Sequence, residues 1–511
     1  MAPTTENPVA APARGGHRWA TLAVMCCAVF ITVLDGTIVN VALPTLAIEL
    51  GATTRQLQWI VDSYLLVFTG LLLAAGGLGD KFGRRRVLLA GLVVFAVTSA
   101  VAGVAGSATG LIAGRALMGI GAALIFPATL AIITNAFTQP RERAMAIGLW
   151  SAVSGVAVAA GPIAGGWLLE HFWWGSVFFV NVPVAAAVAV ATWMVVPESR
   201  EHGAPRLDWA GLLLSITAIT ALVFTIIEAP EFGWLDLRTL AGFGLAGGLL
   251  ALFVRWELRQ QHPMLPVGIF SNLRFTAASV AITSAFFALF GFIFLISQYF
   301  QLVRGYGPLE AGVRTLPVAF SIAAAAVLSP RVVAAIGTTH VVRAGLFFMA
   351  TAVVWIGVGL EVGTSYLEIA GQMVFLGVGL GCTTAPATES IMGSLSVERA
   401  GIGSAVNDTT RELGGTLGVA IIGSVFSSLY VGALDDAGGA FAALPPEAQA
   451  ATRESVGAAR VVAAQLGPVA QPYLDQVNEA FLSGLSAGCF VAAGVALTGG
   501  LFAGRFLPAK A

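Results

Sequence analysis

The sequence predicts an all-α integral membrane protein with fourteen transmembrane helices. Of its 511 residues 57% are hydrophobic and only 10% are charged, whereas a soluble domain has roughly 25% charged residues. Fourteen apolar runs have about the 20 residues that a helix needs to cross a bilayer. The net charge of -1 gives no reason to expect a nucleic-acid partner, and the lipid bilayer is the expected surroundings.

The apolar runs divide the chain into two sets of six with one pair between them. Helices are predicted near 19–41, 58–79, 86–106, 110–133, 144–169, 176–196, 209–228, 237–258, 275–300, 310–330, 341–361, 366–390, 400–430 and 479–506. This spacing predicts a 1–18 tail, an N-terminal six-helix bundle (19–200), two inserted helices (205–260) and a C-terminal six-helix bundle (270–508).

The basic residues predict the orientation. Most Lys and Arg fall in alternate connections such as KFGRRR (81–86) and QPRER (139–143), while AGSATG (105–110) and EVGTS (361–365) have none. By the positive-inside rule both termini are cytoplasmic, and we expect a multi-pass protein of the cell membrane. The polar stretch 431–478 then lies outside the cell, either as a partly helical cap over an outer opening or as a disordered linker.

The first basic connection carries a pattern beyond orientation. Its glycines permit a tight turn, its acid can cap the following helix or pair with an arginine, and its arginines suit an anionic leaflet; these residues are Gly76, Leu78, Asp80, Gly83, Arg84 and Arg85. The pattern G-x-L-x-D-x-x-G-R-[KR] resembles the loop between helices 2 and 3 of the major facilitator superfamily. The resemblance implies that this loop gates a conformational change, although a topology signal alone would also explain the arginines.

The equivalent turn of the second half, PRVVAAIGTTHVVR (330–343), keeps Gly337 but has Ala334 in place of the acid. We therefore expect the gating charge in the first half.

Two further stretches extend the resemblance. LIAGRALMGIGAA (111–123) matches the family's pattern in helix 4 and places Arg115 inside the membrane. A charge there costs about 2.5–3.5 kcal/mol on insertion scales and needs a partner in the bundle interior unless it reaches the interface. AAGPIAGG (159–166) resembles the antiporter motif of helix 5, with Gly161, Pro162, Gly165 and Gly166. A general helix-packing face of small residues would look similar.

The number of helices and the stretches VLDGTIVNVALP (33–44) and GIGSAVNDTTRELGGTLGVA (401–420) resemble the fourteen-helix drug:proton antiporter family. The resemblance implies the major facilitator fold and proton-driven efflux of amphipathic, cationic or neutral drugs, dyes or antibiotics by alternating access. A dedicated exporter of a self-made antibiotic or metabolite, or a proton-coupled importer, remains as an alternative. We expect no enzyme activity, no cofactor and no metal, with the proton-motive force as the energy source and a monomer as the working unit.

Proton coupling requires acids within the membrane. The candidates for protons or substrate, together with their basic partners, are Asp35, Asp62, Arg115, Glu389, Asp408 and Arg411. Asp35 is placed in the outer half of helix 1, Asp62 near the outer end of helix 2, and Glu389 at the cytoplasmic end of helix 12. Helical spacing makes Asp408, Arg411 and Glu412 neighbours. Alternatives are a packing hydrogen bond for Asp35, an internal pair with Arg411 for Asp408 and a helix-end cap for Glu389.

Aromatic residues are the candidates for lining a substrate cavity. An apolar cavity for planar or cationic drugs needs aromatic walls, for which the candidates are Trp59, Tyr64, Phe126, Trp150, Phe286, Phe287, Phe290 and Phe294. Relatives that export dications carry an additional acid in helix 10, and residues 311–329 contain none. The resemblance therefore implies monovalent cationic or neutral substrates.

Overall fold

The computed structural model describes residues 15–200, 208–261, 263–394, 400–467 and 470–507. These residues form nineteen α-helices, a short 3₁₀ helix at Val267–Ser271 and a π-helical turn at Tyr299–Val303. The α-helices are α1 Gly15–Glu49, α2 Thr54–Phe82, α3 Arg84–Gly103, α4 Ala108–Ala136, α5 Pro140–His171, α6 Ser176–Phe179, α7 Asn181–Val195, α8 Trp209–Phe232, α9 Leu237–Glu257, α10 Leu273–Gln298, α11 Pro308–Arg314, α12 Leu316–Ile336, α13 Thr338–Gly359, α14 Tyr366–Gly393, α15 Ala400–Ala437, α16 Gly439–Ala442, α17 Pro446–Glu454, α18 Val456–Gln465 and α19 Ala470–Phe506.

Fourteen spans are confirmed. Within the described ranges thirteen helical segments are long and apolar enough to cross a membrane, and α2 adds the fourteenth as a helix bent by 53° between Leu72 and Ala74. Gly76 and Gly77 follow the bend, and glycines weaken a helix at such a point. The shorter helices α6 and α7 form one span, and α11 and α12 form another.

The spans pack as two bundles with a pair of helices beside them. In the N-terminal bundle α4 packs against α2 and α3, and α1 packs against α5. In the C-terminal bundle α10 packs against α15, and α14 against α12 and α13. The inserted helices α8 and α9 pack on each other, and α8 also contacts α2 and α15. The predicted architecture of two six-helix bundles and two inserted helices is therefore confirmed.

We call the end of the molecule with the α1–α2 turn the outer end and the opposite end the inner end, after the predicted orientation. Hydrogen bonds between the bundles cluster at the outer end. Gln58 of α2 donates to the carbonyl oxygens of Ala420 (3.0 Å) and Val419 (3.3 Å) in α15, and Ser297 of α10 donates to the carbonyl oxygen of Asn40 over 2.8 Å. The bundles are thus joined at the outer end.

The tip of the inserted pair, where α8 ends and α9 begins, forms ion pairs and a hydrogen bond with the two bundles. Arg55 at the start of α2 forms ion pairs with Glu228, at 2.6 Å, and with Glu231. Trp234, in the turn after α8, donates its indole N–H to the hydroxyl of Ser428 in α15 over 3.1 Å. Further along α8, apolar side chains pack jointly against Leu66 of α2 and Ala420 of α15. The helix α8 therefore covers the seam between α2 and α15.

The predicted 431–478 loop is shorter than the sequence indicates. Helix α15 continues to Ala437 and α19 begins at Ala470, because polar turns at the helix ends project beyond the apolar part that hydropathy detects. Between them lie the short helices α16, α17 and α18. The position of Gly457 in α18 faces Ala47 of α1, and Thr54 of α2 donates to the carbonyl oxygen of Glu454 over 3.1 Å.

Residues 1–14 of the predicted 1–18 tail lie outside the described residues.

Candidate functional site

The centre of the N-terminal bundle holds a buried ion pair. Asp35 of α1 and Arg115 of α4 approach to 2.5 Å, and their side chains are 0% and 1% exposed. Helix α4 can bring the arginine inward because its neighbours Gly114 and Gly119 pack against Ala102 and Tyr64 without side chains of their own. The sequence predicts a partner for Arg115, and the structure supplies Asp35.

The second carboxylate oxygen of Asp35 also accepts a hydrogen bond. The amide of Asn181, the first residue of α7, donates to Oδ1 of Asp35 over 2.7 Å and to the hydroxyl of Ser99 over 3.0 Å. Ser99 in turn donates to the carbonyl oxygen of Phe178 over 2.9 Å. Helices α1, α4 and α7 therefore meet at one carboxylate, and Ser99 of α3 holds the amide that binds it.

Arg115 is held on its other sides by a backbone oxygen and an aromatic ring. Its Nε donates to the carbonyl oxygen of Ile60 over 3.1 Å, and its guanidinium carbon lies 4.2 Å from the ring centre of Tyr64. The Tyr64 hydroxyl donates to the carbonyl oxygen of Thr32 over 3.2 Å. The cluster of Asp35, Arg115, Asn181 and Tyr64, here called the α1–α4 charge cluster, is thus fixed by hydrogen bonds and ring contacts.

Asp62 lies apart from this cluster. It is 0% exposed, and neither of its carboxylate oxygens has a hydrogen-bond partner among the described residues. It follows Gln58 by one helical turn on α2, and residues four apart share a helix face. Because Gln58 reaches α15, Asp62 lies on the side of α2 that faces the other bundle.

The polar side chains of α15 are held by hydrogen bonds and a ring contact, whereas Asp35 of α1 and Arg115 of α4 form an ion pair. Asn407 donates to Asp408 over 3.3 Å. Arg411 donates to the Thr388 hydroxyl at 3.3 Å and lies 5.5 Å from the ring centre of Phe286. Within the described ranges no ion pair joins Asp408 to Arg411. Glu389 lies in the last turns of α14 at the inner end and is exposed.

The turn between α2 and α3 contains its own charge lattice. Arg84 donates through Nε and Nη2 to Oδ1 of Asp80, at 3.0 and 2.8 Å, so Asp80 pairs with an arginine and does not cap α3. Gly83 takes a φ of 106°, which favours glycine. Glu198, beyond α7, accepts from the backbone N–H of Arg85 over 3.1 Å. Gly76 lies in α2 opposite Pro127.

Glu198 was not predicted as a member of this lattice. The run PESRE (197–201) contains two acids and is a weak signal, because which of them lies next to Gly83 depends on how α7 packs.

The helix 5 motif contacts one helix of each bundle. The positions of Gly161 and Gly165 face Thr37 and Ile38 of α1, while Gly166 faces the backbone of Pro308 and Leu309 in α11. The carbonyl oxygen of Pro162 lies against Gly312 of α11. A Cβ at Gly166 would lie 2.6 Å from the Pro308 oxygen, so only glycine permits this approach.

The candidate aromatic residues fall into four groups. Tyr64, Phe126 and Trp150 form a continuous row through Phe68, with ring centres 6.0, 5.8 and 5.1 Å apart in turn, and Phe286 and Phe290 pair at 6.1 Å. Phe287 and Phe294 are buried in the C-terminal core. Trp59 packs on Phe224 of α8, away from the charge cluster.

Two six-helix bundles that meet across a seam, with a buried charge pair at the centre of one, define a membrane transporter. A family model described as Major Facilitator Superfamily matches residues 25–419. The multidrug efflux pump LfrA of Mycolicibacterium smegmatis is 37% identical over 96% of this chain and 95% of its own length. The tetracenomycin C resistance and export protein of Streptomyces glaucescens is 35% identical over 95% of this chain and 91% of its own.

Among solved structures, a bacterial homolog of the human lysosomal transporter Spinster, in an inward-facing and unoccupied conformation, superposes with a TM-score of 0.70. It is 17% identical and covers 98% of this chain and 99% of its own, which shows the fold alone. The chain belongs to the Major Facilitator Superfamily and, within it, to the drug:proton antiporter family. These are transporters, not enzymes, and in general they need no cofactor.

Proposed function

We propose that this protein exports amphipathic, monovalent cationic or neutral drugs and dyes across the cell membrane in exchange for protons. The observation that carries the proposal is the ion pair of Asp35 and Arg115, buried in the bundle interior. The relatives named as a multidrug efflux pump and an antibiotic export protein support drugs as the substrate class. Both termini lie in the cytoplasm, and one chain completes the transport path.

Protonation of Asp35 would change the contacts within the α1–α4 charge cluster. A proton on Asp35 removes the negative partner of Arg115, and a buried charge without a partner is costly. The arginine must then find other acceptors, so the packing of α1 against α4 differs between the two protonation states. Proton entry supplies about 1.36 kcal/mol per pH unit and about 2.3 kcal/mol per 100 mV, which is of the size needed to drive such a rearrangement.

Asp62 is a second proton acceptor in this proposal. A fully buried carboxylate without hydrogen-bond partners is most stable in its neutral form. Separation of α2 from α15 would expose it to water and allow it to ionise. Asp408, Arg411 and exposed Glu389 would contact substrate or protons from the inner end.

The test measures dye transport in proteoliposomes under an imposed pH gradient. Asp35→Asn should abolish proton-coupled transport while the protein still inserts and remains monodisperse. Asp475→Asn, in an exposed turn of α19, is the matched control and should transport at the wild-type rate. Wild-type transport by the Asp35→Asn protein, or transport that ignores the pH gradient, would overturn the proposal.

A dedicated antibiotic exporter is the second candidate function. The relative that exports tetracenomycin C favours it. The same vesicles separate the two, since a multidrug pump moves chemically unrelated dyes and a dedicated exporter moves few. In inverted vesicles an exporter moves the dye into the lumen, so movement of the dye out of the lumen would indicate an importer.

A further inference from the structure

The inserted helices α8 and α9 enclose a cleft that none of the candidate site residues line. Its volume is about 580 Å³, within the roughly 300–1,000 Å³ of ligand pockets. It runs along α8 from Ile216 to Phe232 and is closed by the first turns of α9. Phe224, Phe232 and Leu245 line it and are exposed, so the cleft opens on the lipid-facing side of the hairpin.

The wall of the cleft is apolar in effect. Four threonines line it, and three of them already donate to a backbone oxygen nearby: Thr217 to Leu213, Thr225 to Ala221 and Thr239 to Gly233. Sixteen residues of α8 rise by about 24 Å, and half of a bilayer core is about 15 Å thick. The cleft is therefore long enough for one acyl chain of the outer leaflet.

The outer mouth of the cleft holds an arginine that can bind a head group. Glu228 lines the cleft, but Arg55 pairs with it at 2.6 Å. Asp236 accepts the backbone N–H of Arg238 over 2.8 Å as the cap of α9. The guanidinium of Arg238 lies 5.6 Å from the ring centre of Phe232 and has no ion-pair partner among the described residues. Arg238 is therefore free to pair with a phosphate, while Glu228 and Glu231 share Arg55.

We propose that the cleft between α8 and α9 binds a phospholipid of the outer leaflet, with its phosphate on Arg238 and one acyl chain along α8. An arginine fits phosphate geometry, and basic residues between transmembrane helices bind lipid head groups. The exposed Leu235 and Leu237 beside the mouth place it at the edge of the hydrocarbon.

The test titrates phosphatidylglycerol onto delipidated, detergent-solubilised protein and counts bound lipids by native mass spectrometry. The wild type should bind one lipid tightly, and Arg238→Gln should bind it at least about tenfold more weakly, since charge-assisted hydrogen bonds are worth about a factor of ten or more. Thr217→Trp, which fills the cleft and keeps the arginine, should lose the lipid as well. Arg255→Gln, at the opposite end of α9, is the matched control and should bind like the wild type.

Gel filtration and thermal unfolding confirm that each variant is folded before binding is compared. Equal binding by wild type and Arg238→Gln overturns the assignment of the phosphate, and equal binding by Thr217→Trp overturns that of the acyl chain. Dioleoylglycerol, which lacks phosphate, should bind more weakly than phosphatidylglycerol. Displacement of the bound lipid by a monovalent cationic dye would identify the cleft as a drug site and contradict the proposal.

Discussion

Arg115 donates to Asp35 over 2.5 Å, although 80 positions separate them in the chain. Both side chains are buried, so removal of one leaves the other as an unpaired charge. Breaking a buried pair costs about 3–5 kcal/mol. We expect Arg115→Gln to lower the stability of the purified protein by about this amount, measured by denaturant unfolding in detergent.

The double variant Asp35→Asn with Arg115→Gln supplies the control for that measurement. It removes both charges and should recover part of the lost stability while transport stays absent. Additive losses in the double variant would show that the two residues do not interact.

The glycines of α5 offer a matched pair of substitutions. Gly166 touches the backbone of α11, whereas Gly155 on the same helix has open space where a Cβ would stand. We expect Gly166→Leu to slow transport more than it weakens substrate binding, because α5 and α11 must rearrange when the bundles move. Gly161→Leu would instead crowd Thr37 of α1 within the same bundle. Turnover and dye affinity are measured separately in proteoliposomes.

Gly155→Leu should leave both quantities close to their wild-type values. A pure loss of affinity in Gly166→Leu, with normal turnover, would contradict a role of this contact in the conformational change.

The backbone conformation of Gly83 predicts the effect of replacing it with another residue. Its φ of 106° costs another residue about 1–3 kcal/mol, and a Cβ there would lie 2.7 Å from Glu198 Oε1. Gly83→Ala should reduce stability and transport rate together. Gly79→Ala, inside α2 with its nearest contact at 3.8 Å, should be tolerated.

The variant Gly83→Ala with Glu198→Ala separates the two causes. Removal of the carboxylate relieves the clash but not the backbone strain, so recovery should be partial. Full recovery would assign the whole effect to Glu198.

The contact between α18 and α1 can be tested by cross-linking. A Cβ at Gly457 would lie 2.5 Å from that of Ala47, close enough for a cysteine pair to bond after a small shift. In a background without Cys26, Cys27, Cys382 and Cys489, Ala47→Cys with Gly457→Cys should form a disulfide on oxidation. If the outer end opens during transport, the bond should stop transport, and reduction should restore it.

A single-cysteine variant, Gly457→Cys, controls for the substitution itself. Unchanged transport by the oxidised pair would show that α18 moves together with α1 throughout the cycle and does not cap the outer opening.

Local patterns in the sequence predict most of the fold but not the side-chain partners. Hydropathy finds the fourteen spans because lipid requires an apolar surface on each of them. It does not find the bend in α2 or the extent of α15 beyond the bilayer. The partner of Arg115 depends on how α1 and α4 pack, which no local pattern contains. Asn181 was missed as a site residue, although a lone amide in the apolar run FFVNVP (178–183) was a usable signal.

Two polar contacts at the tip of the inserted hairpin limit how far the outer ends of the two bundles can separate. Arg55 binds the tip to α2 through charged groups, and Trp234 binds it to α15 through one neutral hydrogen bond. Charge-assisted bonds are about twice as strong as neutral ones, so the indole releases first and the hairpin travels with the N-terminal bundle. When the outer ends separate, the hydrogen bond from Trp234 to Ser428 is therefore the contact that must break, and its loss is a cost of the open outer end.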